Sequence, residues 1–87
     1  MKYSAVFESG CPFAAYAYLT TSSSFVRVVN SVECAAQRYT FTEFLFGHEM
    51  NFRYIHCYDE PINGNKVAHM VFTDENDNTY NVIIREE

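Results

Sequence analysis

The stretch NFRYIHCYDEPINGNKVAHMVFTDENDNTYNVIIRE, residues 51–86, contains three apolar runs separated by two polar segments. The runs are rich in β-branched and aromatic residues, which are enriched in strands. Asn63 and Gly64, between the first two runs, form a strong signal for a tight hairpin turn. The Asp and Asn residues of the second segment favour a turn as well. The stretch therefore predicts a three-stranded antiparallel meander, in which residue 58 pairs with residue 69 and residue 56 with residue 71.

The N-terminal half adds strands and helices to this meander. Residues 2–8 alternate, with Tyr3, Ala5 and Phe7 on one side, which predicts a half-buried strand. Residues 11–19 fit a short helix with Pro12 at its first position, and they also fit a strand. The run FVRVVN, residues 25–30, is β-branched and predicts a strand.

Residues 31–47 predict one bent helix or two shorter helices. Asn30 or Ser31 is suited to cap the first, Thr40 and Glu43 form a capping-box pattern, and Gly47 is suited to end the helical region. We therefore predict a single α+β domain over residues 1–87. It has an antiparallel sheet of four to five strands, with the C-terminal three-stranded meander, and one or two helices on one face.

Charge is distributed unevenly along the chain. Residues 1–57 have four acidic and four basic side chains, whereas residues 58–87 have seven acidic and two basic ones, so the whole net charge of −5 lies in the last third. That balance argues against direct binding to nucleic acid, which requires cationic side chains, and it favours a basic protein partner. No apolar run has the ~20 residues of a membrane helix, and no signal-peptide pattern opens the chain, so we expect a cytoplasmic protein without membrane contact.

The acidic segment TDENDNTY, residues 73–80, resembles part of a calcium-binding loop. Asp74, Asn76 and Asn78 have the spacing of its first three ligands, but Thr79 stands where the loop needs Gly and Arg85 where it needs Glu. We therefore interpret the segment as a solvated hairpin turn or as part of a recognition surface. On such a surface the tyrosines would be the anchors and the acidic residues the charged rim. The candidate binding residues are Tyr54, Tyr58, Asp59, Glu60, Asp74, Glu75, Asp77 and Tyr80.

Few residues suggest catalysis or metal binding. His56 and His69 are diagonal neighbours in the predicted hairpin, but a third ligand is missing there, so no metal and no cofactor is predicted. Cys11, just before Pro12, would have a lowered pKa if a helix began there, and it is the candidate nucleophile of an alternative reading as a small thiol-dependent enzyme or redox protein. Glycine-rich phosphate loops and hydrolase motifs are absent from the sequence, and we predict no catalytic residue.

In size, net charge and the acidic segments CYDE (57–60) and TDENDNTY (73–80), the chain resembles small acidic phage-encoded inhibitors of host defence, such as anti-CRISPR and anti-restriction proteins. The resemblance implies a protein-binding module that blocks a basic site on a nucleic-acid-handling complex, in the host cytoplasm. Besides the thiol-dependent alternative, a homodimer that pairs exposed strand edges stays open, so the chain is predicted to be a monomer or a homodimer.

Overall fold

The computed structural model of the protein describes residues 2–50, 52–59 and 67–87, with the backbone alone for residues 53–59. The strands are β1 (Tyr3–Phe7), β2 (Thr21–Ser22), β3 (Arg53–Asp59), β4 (Val67–Thr73) and β5 (Thr79–Glu86). They form an antiparallel sheet in the order β2-β1-β5-β4-β3. A 3-10 helix (Ala14–Tyr16) precedes β2, and the helix α1 (Phe25–Leu45) follows it. The predicted α+β class and the C-terminal meander are confirmed.

The β3–β4 pairing has the predicted register, with one irregularity. Tyr58 pairs with His69 and His56 with Val71, but a register shift between Tyr54 and His56 puts Tyr54 opposite Phe72. This β-bulge interrupts the regular alternation of side chains along β3. Phe72 and His69 lie on different faces of β4. Tyr54, which pairs with Phe72, and Tyr58, which pairs with His69, therefore occupy positions on different faces of the sheet. The predicted Asn63-Gly64 turn lies outside the described residues.

Residues 25–30 are helical, so the predicted strand there is wrong. α1 runs for 21 residues from Phe25, with Ser24 at its N-cap. Val28 and Val32, four residues apart, are fully buried against the sheet. A β-branched residue costs a few tenths of a kcal/mol in a helix, whereas burying one Val side chain contributes roughly 1.5–3 kcal/mol. Packing therefore overrides the local strand preference.

The predicted caps inside α1 are also wrong. Ser31 lies within the helix and is buried, and its Oγ accepts a hydrogen bond from the Leu19 N–H at 3.3 Å. That bond ties the segment before β2 to the helix. Thr40 Oγ1 donates to the Ala36 carbonyl at 2.9 Å, within the same unbroken helix. Gly47 does follow the end of the helix, with φ of +83°, a backbone conformation that glycine adopts without strain.

The Ser24→Ala variant is expected to lose about 1 kcal/mol of unfolding free energy. Ser24 Oγ accepts a hydrogen bond from the Arg27 N–H, one of the donors that a helix N-terminus leaves unpaired. Urea unfolding followed by far-UV circular dichroism measures the loss. The exposed neighbour Ser23 provides the matched control, Ser23→Ala, which should change stability by less than about 0.5 kcal/mol. Equal losses in the two variants would contradict the capping role.

The core lies between α1 and one face of the sheet, with α1 packed mainly against β1, β2, β5 and the 3-10 helix. Its centre is Phe13, from the segment that fitted either a helix or a strand; apart from the 3-10 turn, that segment is irregular. The Phe13 ring is fully buried, with edge-on aromatic neighbours at centroid distances of 5.0–6.4 Å. These neighbours are Phe7, Phe52, Phe72 and Tyr80. Aromatic pairs of this geometry favour each other beyond their buried area, so residues 11–19 act mainly to place one ring.

Candidate functional site

Asp74, one of the predicted binding residues, is buried in the β4–β5 turn and only 6% exposed. Its carboxylate accepts hydrogen bonds from the backbone N–H groups of Asn76 and Asn78, from Asn78 Nδ2 and from the Tyr80 hydroxyl, at 2.9–3.1 Å. Desolvation raises the pKa of Asp74, but the hydrogen bonds outweigh it and hold the pKa below its ordinary value. Asp74 therefore organises the turn, and its carboxylate oxygens face inward rather than toward a partner.

Tyr80, predicted as an exposed anchor, is half-buried on the core side of β5. Its ring packs edge-on against Phe13 and Phe52, with centroids 6.4 and 5.7 Å apart, and its hydroxyl donates to Asp74. Desolvation and the bond to Asp74 raise the pKa of Tyr80. Tyr80 thus links the turn to the aromatic core, and the expectation that it lies on the outer surface does not fit this position.

Glu75 and Asp77 are the predicted acidic residues that the turn does expose. Asp77 has φ of +62°, and the turn is closed by backbone bonds from Asp77 N–H to the Asp74 carbonyl and from Asp74 N–H to the Asn78 carbonyl. Asp tolerates this left-handed conformation better than most residues. The turn therefore displays two carboxylates on a backbone that Asp74 holds in one conformation.

Asp59, from the predicted acidic segment 57–60, lies at the opposite end of the meander from the β4–β5 turn. Asp59 pairs with Ala68, which pairs in turn with Ile84, so the backbone of β3 ends beside the last residues of β5. Tyr54 and Tyr58 lie in β3, the last strand of the sheet, at the register positions given above. Glu60 lies outside the described residues. The register thus separates the residues 74–77 from Asp59 by the length of a strand.

Cys11 has the surroundings of a structural thiol. It is only 8% exposed, and no α-helix begins at Pro12; the short 3-10 helix starts at Ala14. Burial raises the pKa of the Cys11 thiol, more than the N–H groups of Phe13 and Ala14 lower it. The helix-terminus argument for a reactive thiolate therefore does not apply to this residue. Within the part of the chain that the structure describes, no group of three His, Cys, Asp or Glu residues is placed to hold a metal ion.

Among the side chains that the structure describes, the largest group of exposed apolar residues lies at the C-terminal end of α1. Phe41, Phe44, Leu45 and Phe46 are 62%, 61%, 66% and 74% exposed, and we call these four residues the α1 patch. Phe41 stands three and four residues before Phe44 and Leu45, so the three share one side of the helix. The buried residues Val28, Val32 and Ala35 define the opposite side. Helical spacing in the sequence was sufficient to group these residues, but it did not reveal which side of the helix the sheet would cover.

The end of α1 holds the α1 patch in a defined conformation. Gly47 N–H donates to the Phe44 carbonyl and His48 N–H to the Glu43 carbonyl, the pair of bonds that forms a Schellman motif. The His48 ring also contacts Glu43, with 2.7 Å between Nδ1 and Oε2. These bonds fix the residue at the C-cap, Phe46, as the outermost side chain of the patch.

A groove of about 240 Å³ lies beside the α1 patch, between α1 and the sheet. Its lining consists of Glu33, Ala36, Gln37, Thr40, Phe52 and Phe72, and we call it the α1 groove. The rings come from the sheet side, and the polar groups come from the helix. Thr40 and Gln37 stand four residues before Phe44 and Phe41, so the groove and the patch adjoin along the helix.

No family model, no curated protein and no solved structure matches the chain. Among the described residues, none of the helices combines the length and the apolar character needed to cross a lipid bilayer.

Proposed function

We propose that this chain is a protein-binding module, which acts by covering part of a partner protein and which docks through the α1 patch. The observation that carries the proposal is the exposure of Phe41, Phe44, Leu45 and Phe46 on a helix whose other side is already buried. Phe is enriched at the centres of protein interfaces, where its burial supplies affinity.

The size of the α1 patch supports this use. With side chains of this size and exposure, the four residues present on the order of 500 Å² of surface. The largest apolar patch on an ordinary monomer is roughly 300–600 Å² and is often functional. A specific interface buries about 800 Å² on each partner, so the patch would form the central part of one and its polar surroundings the rim.

Charge favours a basic partner. The chain has a net charge of −5, and Glu33 lines the groove beside the α1 patch, while Glu49 is exposed just after the helix. A negative field increases the rate of association with a positively charged surface. In its specific form, the proposal is an inhibitor or modulator that occludes a basic site of a nucleic-acid-handling complex, and Glu75 and Asp77 add charge at a separate place.

The double variant Phe41→Ser/Phe44→Ser is expected to weaken partner binding at least ~30-fold, because the loss of even one central interface residue costs about 2 kcal/mol. The partner is first captured from cells on the wild-type protein, and its Kd is then measured with purified components by calorimetry. Val26→Ser is the matched control, since Val26 is also 62% exposed on α1 but lies outside the patch. Undiminished binding by the double variant, with its fold intact by circular dichroism, would reject this docking surface.

A second copy of the chain is the competing occupant. It could sit on the α1 patch, or it could pair along β3, which ends the sheet and is seven residues long. Sedimentation velocity of the purified protein distinguishes self-association through either surface from a chain that is free to bind a different protein. A monomer of 10.1 kDa is the expected result. A dimer that Phe44→Ser dissociates would assign the patch to self-association and overturn the proposed partner.

A further inference from the structure

The α1 groove has the chemistry of a site for a cation. Glu33 provides a carboxylate, which accepts hydrogen bonds only. The Thr40 hydroxyl proton is already donated to the Ala36 carbonyl, so the Thr40 oxygen is left with acceptor capacity. The Gln37 amide supplies one further acceptor. None of the basic side chains that the structure describes lines the groove.

The opposite wall of the groove is aromatic. Phe52 is half-buried and Phe72 almost fully buried, so both rings are held in place by the core behind them. Ring faces carry partial negative charge and attract cations, most strongly where water is largely excluded. A planar guanidinium group can stack on such a ring and donate hydrogen bonds to acceptors beside it, and it is less strongly hydrated than an ammonium group.

We propose that the α1 groove binds an arginine side chain of the partner, next to the apolar contact made by the α1 patch. The inference rests on the proposed function, since Thr40 and Gln37 are the helical neighbours of Phe44 and Phe41. A partner segment lying on the patch therefore passes the mouth of the groove. The guanidinium contacts Glu33 and Thr40 and stacks on the Phe52 side, which gives the acidic module a defined point of recognition for a basic protein.

The test uses N-acetyl-arginine methylamide as the probe and its citrulline counterpart, which has the same shape but no charge. Each is titrated into the 87-residue chain and followed by amide NMR. The arginine probe is expected to shift Ala36, Gln37 and Thr40 with a Kd on the order of 1–10 mM. The citrulline probe is expected to bind at least about fivefold more weakly. Equal binding of the two probes, or shifts spread over the acidic turn instead of the groove, would overturn the proposal.

Variants assign the effect to the groove. Glu33→Gln keeps the size of the side chain and is expected to abolish the localised shifts, while Glu75→Gln, at an exposed acid that does not line the groove, leaves them unchanged. Thermal melting checks that both variants stay folded. If the lysine analogue binds as tightly as the arginine probe, the specificity for guanidinium is refuted. Undiminished partner binding in Phe41→Ser/Phe44→Ser, with arginine binding intact, would contradict the docking surface of the proposed function and not the arginine site.

Discussion

The Phe13→Ala variant is expected to lose about 3–5 kcal/mol of unfolding free energy, the usual cost of removing a buried Phe side chain. Phe13 is fully buried and is in edge contact with four aromatic rings. These rings belong to Phe7 of β1, Phe72 of β4, Tyr80 of β5 and Phe52, which precedes β3. Those rings cannot all move inward to fill the space, because the strands that carry them are hydrogen-bonded in one sheet. A loss of this size approaches the whole stability of a small domain.

Equilibrium unfolding in urea, followed by tyrosine fluorescence and far-UV circular dichroism, measures the effect. Phe13→Leu keeps most of the apolar volume and should cost clearly less, which leaves a folded variant for comparison. Tyr18→Ala is the surface control: its ring is 71% exposed and contacts the Arg38 guanidinium at 5.1 Å, so its removal should cost less than about 1 kcal/mol. If Phe13→Ala cost no more than Tyr18→Ala, the aromatic cluster would not be the centre of the core.

The Asp74→Ala variant is expected to lower Tm by roughly 10 °C, since several stabilising bonds are lost together in a domain of this size. The donors left behind are the N–H groups of Asn76 and Asn78, the Asn78 side-chain amide and the Tyr80 hydroxyl. Differential scanning calorimetry measures the shift. Glu75→Ala, in the same turn but exposed, is the matched control and should leave Tm nearly unchanged. A similar fall in both variants would mean that turn sequence, and not the Asp74 carboxylate, sets the stability.

The same carboxylate predicts a pH dependence. The pKa of Asp74 is lower in the folded chain than its ordinary value, because the hydrogen bonds from Asn78, Asn76 and Tyr80 exceed the effect of desolvation. A lowered folded pKa stabilises the fold above the unfolded pKa of about 3.9, and that stability is lost as the pH falls through the folded value. Wild type should therefore lose more Tm than Asp74→Asn on going from neutral to acidic pH. An equal fall of Tm with pH in wild type and Asp74→Asn would contradict the predicted role of the Asp74 carboxylate.

The aromatic cluster around Phe13 and the hydrogen bonds of Asp74 bear on function, because they take Asp74 and Tyr80 out of the predicted recognition surface. Asp74 and Tyr80 have the residue types of a charged rim and an aromatic anchor, yet their polar atoms bond to each other inside the protein. Glu75 and Asp77 remain exposed. Among the described side chains, Phe41, Phe44 and Phe46 form the group of exposed aromatic residues at the end of α1. They were not named as binding residues from the sequence, because charge pointed to the acidic last third of the chain.

Local sequence determined the features that depend on short-range geometry. Alternation marked β1, the β-branched and aromatic runs within residues 51–86 marked the three strands of the meander, and Gly47 marked the end of α1. The position of the Asn63-Gly64 dipeptide implied the 58–69 and 56–71 pairs that β3 and β4 form. Each of these follows from side-chain period or from backbone sterics, which a chain carries with it wherever it folds. The net charge of −5 is likewise a property of the sequence alone.

Tertiary structure decided the features that depend on what each residue meets across the fold. Residues 25–30 became helix because burying Val28 and Val32 against the sheet outweighs their strand preference. Asp74 became an internal acceptor because Tyr80 returns beside it across the turn, and Phe13 became the core because four rings converge on it. The exposure of Phe41 and Phe44 was decided in the same way. Which side of α1 faces the sheet depends on contacts between residues that are distant in the chain, and helical spacing alone does not determine those contacts.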